Sequence, residues 1–128
     1  MQMIVRNPAV GIYAATPDYV HAMEVVGAQR LLFISGTMGL DAAGRPPKGL
    51  EAQLTLIWSN LRRILAEAGM TTTNLVRVTS YLREAAFVEA NQQARLDALG
   101  DRRIPTTAIV VATLSPDWLV EVEAVAAG

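Results

Sequence analysis

Two carboxylates, two residues apart, lie in the apolar stretch that closes the chain. In the run LVEVEAVAA from Leu119 to Ala127, strand alternation sends Val120, Val122, Ala124 and Ala126 to one face. Leu119, Glu121, Glu123 and Val125 take the other. The two glutamates then share a face, with Cβ atoms roughly 6.5–7 Å apart. Paired acids, one protonated and one ionised, suit hydrolysis of an imine, an enamine or a glycosidic bond. The same pair also fits a solvated strand face, or ion pairing with Arg77 across a sheet. His21 has the ordinary titration range of a general base, although a lone strand histidine more often has a structural role. Ser35-Gly36 ends a buried strand with a hydroxyl and an approachable backbone, a cradle for an anion or simply a common strand end. Nothing forms a nucleophile elbow or a phosphate loop: GLDAAGRPPKG lacks the terminal Ser or Thr and the strand–loop–helix setting.

Composition narrows the class. The 128 residues make one domain, 1–128, able to bury about two-thirds of its unfolded surface. A 52% hydrophobic fraction with few aromatics is high for a lone small domain, and implies apolar surface shared between subunits. The net charge of −1, with eleven scattered Lys and Arg, argues against nucleic acid as a partner. With no cysteine and one histidine, no disulfide, thiol chemistry or histidine metal cluster is expected. The N-terminus has no signal-peptide pattern, and no apolar run reaches the length of a membrane span. A soluble cytoplasmic protein without membrane contact is expected.

The elements that must position these groups follow in order. MQMIV reads as a short edge strand that stops before Asn7-Pro8. YVHAMEVV (Tyr19–Val26) and RLLFIS read as a hairpin about Gly27-Ala28-Gln29. Leu50, Leu54, Ile57, Leu61, Ile64, Leu65 and Ala68 form one helical stripe, and Gly69 is its natural stop. LVRVTSYLR alternates as a strand, with Arg77, Thr79 and Tyr81 on one face. A second helix spans about Ala85 to Leu99, closed by Gly100. Thr106–Ala127 reads as a terminal hairpin about Ser115-Pro116-Asp117. The order predicts an α+β domain, a mixed sheet with two helices on one face. The other face is half polar, carrying Tyr19, His21, Arg77, Thr79, Tyr81, Glu121 and Glu123.

Taken together, the blocks LLFISGTMGLDAAG, NLRRILAEAGM, NLVRVTSYLRE, FVEANQQ and LVEVEAVA resemble the Rid/YjgF/UK114 superfamily of enamine/imine deaminases over nearly the whole chain. The resemblance implies a chorismate-mutase-like fold and a homotrimer whose sheets close a central barrel. Clefts between neighbouring subunits would take a small-molecule ligand, with no cofactor. It also implies roles for residues: Tyr19 as an aromatic wall, Ser35 and Gly36 at the strand end, Asn91 on the second helix, and Glu121 as the water-orienting acid. The family's carboxylate-binding arginine is absent, because counting back from Leu114 puts Thr106 in its slot. A hydroxyl cannot replace a bidentate, charged fork. A hydrolase of enamine, imine or related substrates is therefore expected rather than a typical 2-aminoacrylate deaminase. The alternatives are a non-catalytic metabolite-binding trimer, or anion binding rescued by Arg77 or Arg103.

Overall fold

A computed structural model describes residues 1–128. The elements run β1 (Gln2–Val5), β2 (Met23–Val26), β3 (Leu31–Met38), α1 (Leu50–Glu67), β4 (Leu75–Leu82), α2 (Val88–Leu99), β5 (Thr106–Val110) and β6 (Val120–Ala127). The main sheet has the order β3-β6-β4-β5, with β6 antiparallel to both neighbours and β5 parallel to β4. β3 and β4 thus run the same way. α1 joins them and α2 joins β4 to β5, each a helical crossover of the kind parallel strands require.

The helix stripe buries as its spacing demands except at Ile64, which lies exposed at its flank. Leu54, Ile57, Leu61 and Leu65 are buried, and Trp58 beside them closes the contact. Gly69 sits at φ +68°, a region that costs a side chain strain, and Met70 N–H returns to Leu65 O at 2.9 Å. On β6, Val120, Val122, Ala124 and Ala126 all enter one core cluster with Val78 and Leu82 of β4 and Leu99 of α2. Both helices therefore cover the same face, and the small alanines let them approach the central strand closely. α2 starts at Val88, later than its sequence implies, because Ala85–Phe87 winds into a tighter 3-10 turn.

Three expectations are corrected. The terminal stretch is not a hairpin: β5 and β6 stand apart, with β4 between them. The loop between them crosses β4, and side chains from other elements satisfy its polar groups, as a non-hairpin path needs. Arg83 Nη1 donates to Thr113 O, Thr113 Oγ1 and Ser115 O at 2.9–3.3 Å. The buried Gln53 amide of α1 donates to Asp117 O at 2.9 Å and accepts from Leu119 N–H at 3.0 Å.

Nor do β2 and β3 form a hairpin. β2 pairs with β1 in a separate two-stranded sheet, Gln2 opposite Val26 and Val5 opposite Met23. Finally, Tyr19 to Ala22 are not strand. Their backbone donors go elsewhere, Tyr19 to Thr16 O, Val20 to Ile104 O and His21 to Asn7 Oδ1. Tyr19 and His21 therefore lie on a loop rather than on the open sheet face.

Candidate functional site

The polar side of β6 builds the site. Glu121 and Glu123 stand between the buried positions of that strand, facing away from the helices. β3 beside it has an irregular register between Ile34 and Thr37, so Ser35 and Gly36 bulge out of regular pairing. The Glu121 side chain lies over Gly36. A Cβ there would come 2.8 Å from Glu121 Cδ and 3.2 Å from Cγ. The absence of a side chain at Gly36 is thus what lets the carboxylate sit there, rather than any special backbone angle. Asn60 of α1 donates to Met38 O and Leu40 O at 3.1 and 3.0 Å, clamping the far end of the same strand.

Across β6, Tyr81 stands opposite Glu121 in register, yet its hydroxyl donates to Glu123, on the diagonal. That hydrogen bond, with burial and the charges of Glu123 and Glu121, raises the Tyr81 phenol above its ordinary pKa. Tyr81 stays the donor of that bond, and the Glu123 carboxylate accepts it. A cavity of about 280 Å³ opens beside them, lined by Gly36, Tyr81, Val111, Leu114, Glu121 and Glu123 among others. Its carboxylate and apolar wall could hold a water against a small carbonyl-derived ligand.

The candidate residues divide among three places. Ser35, Gly36 and Glu121 come together at the β3 bulge. Tyr19 sits on the 14–22 loop, its ring edge-on to His21 with centroids 5.8 Å apart. Asn91 is buried on α2, one turn before Arg95, which holds that loop through Asp18 O at 2.8 Å and the Asp18 carboxylate at 2.9 Å. Thr106 pairs with Val78, whose side chain is in the core, so Thr106 faces the helix side. Its neighbour Thr107 is on the open face, and the Thr107 hydroxyl accepts from Arg77 Nη2 at 2.9 Å. None of Tyr19, Asn91 and Thr106 lines the Glu121 cavity. Tyr81 is the site residue that sequence reasoning left without a role. Alternation had put it on the correct face, but its partner depends on the β4–β6 register.

The Arg95–Asp18 pair has a measurable consequence. Burial pushes the Asp18 carboxyl up, but hydrogen bonds from Thr16 and Arg95 outweigh it, leaving the pKa below its ordinary 3.8. A depressed folded-state pKa adds stability above the unfolded value and loses it as pH falls through the folded one. Arg95→Met should cost about 1–3 kcal/mol at neutral pH. The gap from wild type should narrow below about pH 4 in urea melts; a gap independent of pH would contradict the assignment.

A four-stranded mixed sheet with two helices on one face, and a carboxylate over a glycine bulge on the other, defines a small α+β class with a polar open-face cleft. The family model described as Endoribonuclease L-PSP matches residues 11–128, and the chain belongs to this family, the Rid/YjgF proteins. A RutC family protein of Pyrococcus horikoshii is 28% identical over 105 residues, covering 80% of this chain and 83% of its own. One from Aquifex aeolicus is 38% identical over 76 residues, 58% of each chain. The crystal structure of a conserved Rid family protein from Yersinia pestis superposes with a TM-score of 0.85 at 30% identity, covering both chains completely. No helix is long and apolar enough to cross a membrane.

Proposed function

We propose that this Rid-family chain hydrolyses small imines or enamines lacking an α-carboxylate, in clefts between the subunits of a cytoplasmic homotrimer. Glu121 positions the attacking water. The observation that carries this reading is the Glu121 carboxylate seated over the Gly36 backbone, at the edge of an open cavity. Water held by Glu121 adds to the iminium carbon and gives its proton to the carboxylate. The carbinolamine nitrogen then takes that proton back, the C–N bond breaks, and the hydroxyl proton leaves with the ammonia as ammonium, giving a ketone or aldehyde.

The open face supports assembly. Phe33 is 73% exposed on it, and the edge strand β5 leaves Ile109 and Val110 uncovered. Unpaired strand edges and apolar patches of this kind are normally covered. Tyr19 does not reach the Glu121 cavity within one chain, and in this reading a neighbouring copy supplies it.

Soaking crystals with butan-2-one, a hydrolysis product of this substrate class, tests the reading. The ketone should lie in a cleft closed by a second copy, its carbonyl carbon facing Glu121 and its oxygen within about 3.2 Å of an N–H or O–H donor, not of the carboxylate. A ketone bound away from Glu121, or a cleft formed by one chain alone, would overturn it.

A further inference from the structure

The loop that carries Tyr19 is pinned on both sides of it. Asp18 is clamped by Arg95, through its carbonyl at 2.8 Å and its carboxylate at 2.9 Å. Val20 is buried, and its N–H donates to Ile104 O at 3.4 Å. The course of the backbone is thus set without the Tyr19 side chain, and none of these bonds fixes the angle of its ring. What meets the ring is the His21 imidazole, edge-on at 90° with centroids 5.8 Å apart. That is the separation and angle at which two aromatic rings attract.

His21 is itself held at both ends. Its N–H donates to Asn7 Oδ1 at 2.7 Å, and its Nε2 lies 2.8 Å from Tyr13 O. A carbonyl can only accept, so Nε2 carries the proton. With the backbone and the ring tip both tied, the imidazole cannot turn without breaking the Nε2 bond. The Tyr13 ring meets the same imidazole at 77°, with centroids 5.0 Å apart. The three rings form a series from Tyr13 through His21 to Tyr19, and the middle one is the anchored one.

We propose that His21 is a positioning residue: its ring sets the angle of Tyr19, and with it the aromatic wall that one subunit offers to the Glu121 cleft of its neighbour. What the wall does there rests on the hydrolase reading above; how Tyr19 is held does not. The competing role for His21 is a plain tether for residues 7–13. Two substitutions separate the roles. His21→Gln keeps an N–H of similar reach for Tyr13 O but has no ring, and His21→Phe keeps a ring edge for Tyr19 but has no donor.

Crystal structures and butan-2-imine kinetics of the intact protein decide between them. In His21→Ala and His21→Gln the Tyr19 ring should leave its perpendicular setting. KM should rise about 3–10-fold with kcat within about 3-fold of wild type, the pattern of lost binding rather than lost chemistry. Melting temperatures should stay within about 5 °C of wild type, because Arg95, Val20 and Asn7 still hold the loop. His21→Phe should recover most of the KM. In a Tyr19→Ala background, His21→Ala should add no more than about 1.5-fold, since it acts through that ring. A Tyr19 ring unmoved in His21→Ala, a loss in His21→Phe as large as in His21→Gln, or additive effects with Tyr19→Ala overturns the proposal. Absence of butan-2-imine turnover in the wild type would remove the hydrolase reading instead, and the setting of the Tyr19 ring in the three variant structures would then decide the role of His21.

Discussion

Glu121→Gln is expected to slow imine hydrolysis by about 10²–10⁴-fold while particle mass and melting temperature stay close to wild type. The amide keeps the shape of the side chain but cannot accept the proton from an attacking water. Gly36→Ala should lose rate on the same scale although Glu121 is retained. Its added Cβ would sit 2.8 Å from Glu121 Cδ, and the carboxylate has to leave its seat. Ammonia release under matched imine concentrations reads both variants. Full activity in Glu121→Gln, or dissociation of the assembly, would make the carboxylate structural.

Leu61→Ala should be a costly truncation of α1, at about 2–5 kcal/mol and a melting temperature lower by roughly 10 °C or more. Leu61 is 0% exposed within the core between α1 and the sheet, so removing its side chain leaves a cavity that neighbours fill only in part. Ile64 on the next turn is 38% exposed, and Ile64→Ala should cost under about 1 kcal/mol. Chemical denaturation of the two variants side by side decides it. Equal losses would mean that the buried stripe has been misassigned.

What could be read from sequence was local. The α1 stripe and the β6 alternation each repeat within one element, so their buried faces follow from period alone. The open face carrying Arg77, Thr79, Tyr81, Glu121 and Glu123 came from the same rule. Strand order did not, because it depends on pairings between distant segments. Ser115-Pro116-Asp117 has the residues of a hairpin turn, and nothing nearby says that Arg83 and Gln53 will hold the loop as it crosses β4.

Tyr19 and His21 alternate like strand residues. Their amides are nevertheless taken by Thr16, Asn7 and other groups far from any ladder. Ser35-Gly36 could be read as an approachable backbone, but not what approaches it. The seat of Glu121 on Gly36, like the Tyr81–Glu123 bond, needs the β3–β6–β4 register.

The most direct test of the central claim is ammonia release by the wild-type protein from two freshly generated imines of matched size, butan-2-imine and 2-iminobutanoate. They differ in the carboxylate that the family's missing arginine would bind. The account predicts clear acceleration of butan-2-imine over its spontaneous hydrolysis and little or none for 2-iminobutanoate. Acceleration of neither imine, or faster turnover of 2-iminobutanoate, would contradict it.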